Sequence, residues 1–175
     1  MKREILHRLK DNLIHQGKFI EDDFIQPGIF ETKESEFYLD NTEKNLISNM
    51  STNHLRQYSE GNGQEFIDKK TPAKMKSLHS SSAMTFNLIG NSPVKILPNR
   101  LGLNSGIYSV EFEKKLPTLK MSNSPANLDA CLMSEDLMSA VFSEMKMFEW
   151  FRYTSTEVVT AYLNSGRYFD ANSFT

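Results

Sequence analysis

Three apolar runs between Ile107 and Glu149 carry the acidic side chains best suited to chemistry. The runs are IYSVEFEKKLP, ANLDACLM and SAVFSEMKMFE, with Asp129 in the second and Glu144 and Lys146 in the third. Residues i and i+2 of a strand point to the same face, so Glu144 and Lys146 would lie side by side, with Asp129 on the neighbouring strand. Mg²⁺ prefers oxygen ligands, commonly one or two carboxylates plus a substrate phosphate, and Mn²⁺ can substitute for it. This spacing predicts a divalent-metal site.

Acids embedded in otherwise apolar strands are costly unless they are paired or bound to a metal. Lys146 would lower the pKa values of the neighbouring carboxyl groups, keep them ionised, and hold or activate the attacking water. Two other interpretations stay open. Glu144 and Lys146 can form a solvated strand face, or the three charged groups can form a surface ion network.

The composition fits one globular domain. The chain has 175 residues, 39% hydrophobic and 24% charged, and a net charge of −2. This charge argues against a protein that coats nucleic acid through bulk electrostatics, although a local basic groove stays compatible with it. The single cysteine, Cys131, excludes a disulfide within the chain, and no apolar run reaches membrane-spanning length. The N-terminus lacks the apolar core of a signal peptide, so we expect a cytoplasmic protein.

The first half of the chain predicts helices. Apolar residues recur at helical spacing over residues 3–16, before Gly17, and again from Thr42 to Glu60. Residues 18–40 are irregular and aromatic-rich, and we expect them to wrap the core. A further helix is expected within residues 79–91, capped by one of the serines at positions 80–82.

The second half predicts strands and a last helix. Strands are expected at 107–116, 126–133 and 137–147, and a helix at about 154–164. The connection at 134–136 is too short for a crossover helix, so the last two strands should be antiparallel. This order of elements predicts an α+β or mixed α/β domain.

Two segments before the strands suit phosphate binding. KKTPAKMK (69–76) is either a solvated basic loop or an edge that contacts phosphates. Ser80 and Ser81 can act as helix caps or present hydroxyl and N–H groups to a phosphate. GNGQEF (61–66) lacks the preceding strand and third glycine of a dinucleotide-binding fingerprint, and it fits a helix end followed by a turn.

Several of these segments together resemble one family. NLDA and SEMKMFE resemble the D…ExK signature of the PD-(D/E)XK nuclease superfamily. GNGQEF, HSSSAMTFN, VEFEKKLP, PANLDA and SEMKMFE resemble, in order, the GxGxEL, SSxAxxFN, FEKKL, PxxxDA and ExKxxE segments of a bacterial branch of that superfamily. The resemblance covers roughly residues 61 to 150. The chain departs from the pattern at Phe66, where Leu is usual, and at Ser82, where Gln is common.

The resemblance implies a restriction-endonuclease-like core, with a central mixed sheet flanked by helices, and Mg²⁺-dependent hydrolysis of DNA phosphodiester bonds. Asp129 and Glu144 would be metal ligands, and Lys146 would position the water. Glu65 matches the extra acid that many members use, and we expect it to be a further ligand. Glu113 matches the FEKKL acid and would support the metal or Lys146.

The remaining charged residues have less defined roles. Glu149 follows the motif and would face outward or lie behind the ligands. Lys114 and Lys115 would face the nucleic-acid backbone or simply be solvated. Glu111 is expected to play no part.

The resemblance also divides the chain into an N-terminal helical region, 1–60, and a nuclease-like core, 61–175. The tail RYFDANSFT suggests that the core lacks C-terminal elements. DNA is the expected partner, although nothing excludes RNA, and a homodimer is left open. Restriction or another defence process is the expected role, while repair and mobile-element processing use the same chemistry. The alternatives are an inactive nuclease-fold module that binds nucleic acid or a protein, and a purely structural α+β domain.

Overall fold

The computed structural model describes residues 2–32, 34–61, 65–91, 93–98, 103–116 and 126–145. Their helices are α1 (Lys2–His15), α2 (Thr52–Glu60) and α3 (Ser81–Ile89), and their strands are β1 (Val94–Ile96), β2 (Gly106–Leu116), β3 (Ala126–Ser134) and β4 (Ala140–Ser143). This mixture of helices and strands confirms the predicted α/β class in its coarse form. The helix expected at 154–164 lies outside the described residues.

The strands form one sheet in the order β1-β2-β3-β4, and each neighbouring pair is antiparallel. The antiparallel pairing predicted for the last two strands is confirmed. The mixed sheet implied by the family resemblance is not what the described residues form. β1 was not predicted, because its three residues lie between Pro93 and Pro98 and are too few for a periodic signal.

One face of the sheet carries the main core. Tyr108, Val110 and Phe112 alternate along β2, as the period of a strand requires, and they are buried. They pack against Tyr58 of α2 and Phe86 of α3. The rings of Tyr58 and Phe112 are stacked with 5.2 Å between their centroids. The two helices therefore cover the same sheet face.

The helix predicted from Thr42 to Glu60 was wrong over its first half. Thr42–Asn45 forms a 3-10 turn, and α2 begins only at Thr52, after Ser51 caps it by accepting a hydrogen bond from the His54 N–H. Between the 3-10 turn and α2, the chain forms hydrogen bonds to residues distant in sequence instead of helical hydrogen bonds. The Asn45 Nδ2 donates to the carbonyls of Met75 and Ser77 at 2.8 and 2.7 Å. This segment is therefore held by the residues that precede α3.

The strand predicted at 137–147 is shorter, because the turn before it is longer than the three residues expected. Leu137 adopts a φ of +59°, and the Met138 N–H donates to the Asp136 carboxylate, so β4 starts only at Ala140. The strand ends at Ser143. Glu144 consequently follows the strand rather than lying within it.

α1 covers a second core, formed by Phe24, Leu39 and Leu78. Backbone hydrogen bonds tie this region to the residues before α3, from the Leu39 N–H to the Lys76 carbonyl and from the Leu78 N–H to the Phe37 carbonyl. The expectation that residues 18–40 pack around the core is met at Phe24, Phe37 and Leu39. None of the helices in the described part of the chain combines the length and apolar character needed to cross a bilayer.

Candidate functional site

A cavity of about 560 Å³ lies where the sheet meets the start of α3. Glu65, Glu113, Asp129 and Glu144 all line it. These acids come from four separate segments of the chain. The fold therefore brings together, in one cavity, the four carboxylates that the sequence singled out.

Strand register explains why three of these acids meet. Phe112 pairs with Ala130, so continuing the register by one residue sets Glu113 opposite Asp129. Ala130 pairs with Ser143, which sets Glu144 opposite Asp129 on the other side. The Met145 N–H donates to the Asp129 Oδ2 at 2.5 Å, which fixes the segment after β4 against β3. Glu113 and Asp129 are skipped in the observed pairing, and Glu144 follows the last residue of β4, so the three acids lie side by side where regular pairing stops.

Glu113 interrupts the pairing of β2 with β3. Its φ is +49°, a left-handed conformation that is uncommon for residues other than glycine and recurs at functional sites. The Ser82 hydroxyl donates to the Glu113 Oε1 at 3.3 Å, and only 8% of the Glu113 residue is exposed. A Cβ atom on Gly61 would lie 3.2 Å from the Glu113 Cβ. The ends of α2 and β2 therefore meet closely at Gly61 and hold Glu113 in the cavity.

Glu65 is the most deeply buried of the four acids, with 4% of its surface exposed. Its carbonyl accepts a hydrogen bond from the Met75 N–H, which fixes its backbone. The Lys74 Nζ lies 3.6 Å from the Glu65 Oε1, whereas no described residue donates a hydrogen bond to the buried Oε2. Buried carboxylate oxygens are costly unless they are compensated, so this oxygen is suited to coordinate a cation.

Tyr58 lies behind the acids in the core. Its hydroxyl donates to the Ser82 carbonyl at 3.2 Å. Burial raises the pKa of the Tyr58 hydroxyl well above its usual range, and the charges of Glu113, Glu65 and Asp129 raise it further. Tyr58 therefore stays protonated. Helical spacing identified it only as part of an apolar face.

The other residues that line the cavity are mostly polar and include Lys74, Ser77, His79 and the serines at positions 80–82. The Ser80 hydroxyl accepts a hydrogen bond from the Ala83 N–H, which makes it the cap of α3. Ser81 also lines the cavity, so both serines that were candidates for phosphate contact belong to the acidic cavity. Sequence reasoning missed Lys74 as an individual residue and did not assign any role to His79.

Lys114 and Lys115 lie elsewhere, in a neighbouring cavity of about 380 Å³ between α2 and β2. The Lys114 ammonium pairs with Glu111, and the Lys115 Nζ donates to the Glu60 carbonyl. Glu113 lines both cavities and connects them. Lys146 and Glu149, expected to position water and to follow the motif, lie outside the described residues.

The acidic cavity offers oxygen donors, the ligand type that Mg²⁺ and Mn²⁺ prefer. Within the described ranges, however, no three His, Cys, Asp or Glu side chains are arranged closely enough to form a ready-made metal site. The carboxylates would have to turn inward to hold an ion together. The oxygen chemistry and the unsatisfied Glu65 Oε2 are compatible with a divalent cation, and the four acids line one cavity.

Comparisons with known proteins identify no relative. No family model matches the chain, and neither a curated protein nor a solved structure matches it.

Proposed function

We propose that this protein is a metal-dependent nuclease that hydrolyses DNA phosphodiester bonds. The observation that carries the proposal is the convergence of Glu65, Glu113, Asp129 and Glu144 on one cavity, together with the buried Glu65 Oε2 that no described residue satisfies. Four carboxylates that line one cavity repel one another. A bound cation would turn this repulsion into attraction.

Glu65, Asp129 and Glu144 would hold the ion. A bound Mg²⁺ would supply positive charge to the phosphate and lower the pKa of a bound water. Glu113 accepts a hydrogen bond from the Ser82 hydroxyl, and from the strand next to Asp129 it would support the ligands. By the family resemblance, Lys146 would hold the attacking water.

Basic side chains near the cavity suit a phosphate backbone. Lys74 lines the cavity with 62% of its side chain exposed, and Lys69 and Lys70 are exposed just before it in the chain. The Lys74 Nζ lies 3.6 Å from the Glu65 Oε1. If Glu65 held a cation, the Lys74 ammonium would be available to pair with a phosphate oxygen instead. This supports the interpretation of the basic segment as a phosphate-contacting edge.

Cleavage of a supercoiled plasmid tests the function. The full chain should cut the plasmid with Mg²⁺ or Mn²⁺ and not with EDTA. Asp129→Ala and Lys146→Ala should both abolish cutting, because the first removes a metal ligand and the second removes the group that positions water. Glu4→Ala, on the exposed N-terminal end of α1, is the matched control and should cut normally.

Parallel reactions with RNA of the same sequence would define the substrate class. If the well-folded protein binds DNA but never cuts it, the protein is a nucleic-acid-binding module and not a nuclease. Cutting that persists in Asp129→Ala would refute the assignment of the cavity as the active site.

A further inference from the structure

His79 lies in the same cavity as the four carboxylates, and the function proposed above gives it no role. It is the residue before Ser80, the cap of α3, and it is half-buried. Its imidazole therefore lines the same space that a phosphate bound at the acids would enter.

The His79 ring is held from two sides. The Ser77 Oγ lies 2.7 Å from the His79 Nδ1, and it also accepts a hydrogen bond from the His79 backbone N–H at 3.2 Å. The edge of the Tyr38 ring contacts the imidazole, with 6.3 Å between centroids and planes 77° apart. Ser77 and Tyr38 thus hold the imidazole in one orientation. A fixed orientation of this kind is what proton transfer to one defined atom requires.

Ser77 is itself firmly positioned. It is 3% exposed, its N–H donates to the Lys74 carbonyl, and its carbonyl accepts from Asn45. A hydroxyl oxygen can accept two hydrogen bonds, so Ser77 can receive both the Nδ1–H of a protonated imidazole and the backbone N–H. The ring can therefore carry its second proton on Nε2 while Ser77 holds Nδ1.

The described charges around the cavity are mainly negative. Four carboxylates and the Lys74 ammonium line it with His79, and the Tyr38 hydroxyl is neutral because burial raises its pKa. The titratable groups that line the cavity with His79 are Tyr38, Glu65, Lys74, Glu113, Asp129 and Glu144.

We propose that His79 is the general acid of the hydrolysis, and this inference rests on the proposed nuclease function. The water oxygen forms a bond to phosphorus as the bond from phosphorus to the leaving sugar oxygen breaks. The electron pair of that bond stays on the leaving oxygen, which takes the proton from the His79 Nε2. The attacking water releases its proton to solvent, and the imidazole regains one from solvent.

Replacing the leaving oxygen with sulfur tests the proton transfer directly. A thiolate leaves without needing a proton, so a phosphorothiolate linkage with sulfur at the leaving position bypasses a general acid. The 3′ or 5′ position is chosen from the ends of the wild-type product. His79→Gln should slow cleavage of the normal linkage by about 10²- to 10⁴-fold, the usual contribution of general acid–base catalysis. The same variant should cut the sulfur linkage within about tenfold of wild type, since that step no longer draws on general acid catalysis.

The comparison of the two linkages uses one preparation of each protein, so a partly misfolded variant loses rate on both and cannot imitate the expected pattern. His15→Gln, at the exposed C-terminal end of α1, is the matched control and should match wild type on both linkages. Ser77→Ala should slow cleavage of the normal linkage less than His79→Gln does, and it should leave cleavage of the sulfur linkage nearly unchanged. The reason is that the substitution keeps the imidazole but removes the hydroxyl that orients it. In EDTA with saturating DNA, the imidazole ¹⁵N resonances of His79 should shift on DNA binding, and those of His15 should not.

Equal losses on the oxygen and sulfur linkages would overturn the assignment of His79 as a proton donor, as would an unimpaired His79→Gln or unshifted His79 resonances. Those results leave the nuclease function standing. Failure of the wild-type protein to cut either linkage with Mg²⁺ would instead overturn the nuclease function, and the role of His79 with it.

Discussion

Glu65 combines deep burial with a carboxylate oxygen that no described residue satisfies. An arrangement of this kind lowers the stability of the metal-free protein, because burying an unsatisfied charged group is unfavourable. Stability is often sacrificed in this way at functional sites, where the groups are arranged for a ligand rather than for the fold. Substitution of Glu65 therefore tests the proposed metal binding and the stability of the fold at the same residue.

Glu65→Gln should stabilise the metal-free protein and abolish its response to metal. The substitution keeps the shape of the side chain and removes one of the four negative charges. We expect the melting temperature in EDTA to rise by about 2–4 °C, the change that accompanies about 1 kcal/mol in a domain of this size. Mn²⁺ should raise the melting temperature of wild type but not of the variant. Thermal unfolding with and without Mn²⁺ measures both effects.

Glu43→Gln is the control for this measurement, since Glu43 is exposed and lies outside the cavity. It should leave both melting temperatures close to those of wild type. A Glu65→Gln variant that is less stable in EDTA, yet keeps the Mn²⁺ response, would show that Glu65 is a structural residue.

Asp129 and Glu144 could be named from their spacing in apolar strands, whereas Glu65 and Glu113 were named through the resemblance of their segments to the nuclease family. His79 and Tyr58 could not be assigned in the same way. The ring of His79 is oriented by Ser77 and by Tyr38, which reaches it from the N-terminal region. The hydroxyl of Tyr58 meets Ser82 only after α2 and α3 pack together. Neither contact leaves a periodic signal in the chain.

At the scale of elements, the junction of α2 with β2 controls Glu113. Gly61→Ala would place a methyl group 3.2 Å from the Glu113 Cβ and Oε2, which is closer than side-chain atoms normally pack. We expect Glu113 to shift, and the Mn²⁺ affinity and the cleavage rate to fall about tenfold or more, since misplacement of a site by about 1 Å can cost 10²-fold. Calorimetric titration with Mn²⁺ measures the affinity.

The melting temperature of Gly61→Ala serves as the internal control. A small change in melting temperature with a large loss of Mn²⁺ affinity is expected. Unchanged affinity would show that the α2–β2 junction has no influence on the site.

α2 also presents His54 to the core, where its ring meets Phe86 and Phe112 edge-on at 5.4 Å. Burial lowers the pKa of His54 from its ordinary value of 6.5. The unfolded chain then binds the proton more readily than the folded one, so the stability from neutral His54 is full above about pH 6.5 and is lost as the pH falls toward the lowered folded pKa. We expect wild type to lose more stability than His54→Phe between pH 7.5 and 5.

Urea unfolding of both proteins at the two pH values measures this difference, and His15→Gln should behave as wild type. Equal losses of stability in wild type and in His54→Phe would mean that the His54 ring protonates in the folded protein at no cost in free energy.

Local patterns predicted α1, α3, β2 and β3 closely, because each is a continuous periodic segment with a recognisable end. The same approach failed at 42–60 and 137–147. In the first segment, Asn45 exchanges helical hydrogen bonds for tertiary ones with Met75 and Ser77. In the second, Leu137 takes a left-handed conformation that a leucine rarely adopts, and the turn extends into the predicted strand. Both errors come from interactions that spacing alone does not encode.

At the scale of the whole molecule, the proposed function predicts an affinity for DNA that depends on metal, because the net charge is −2 and the cavity is acidic. Without a cation, the carboxylates would repel the phosphates that the lysines around the cavity would attract. We expect DNA to bind at least about tenfold more tightly when a divalent ion lowers this repulsion by about 1.4 kcal/mol or more. Lys146→Ala, which should not cut DNA, allows fluorescence anisotropy to be measured with Mg²⁺ and with EDTA.

Asp129→Asn provides the matched comparison. Removing one negative charge should raise DNA affinity in EDTA and reduce the gain on adding Mg²⁺. An affinity that is the same with Mg²⁺ and with EDTA in both variants would place the nucleic-acid surface away from the acids.

The central claim is that the cavity lined by Glu65, Glu113, Asp129 and Glu144 holds a divalent metal ion. Calorimetric titration of Mn²⁺ into the full chain tests it most directly. Wild type should bind Mn²⁺ with saturable heat, and an Asp129→Asn/Glu144→Gln double variant with an unchanged fold should give only the heat of dilution. The claim would be contradicted if wild type gave no binding heat, or if wild type and the double variant gave the same heat.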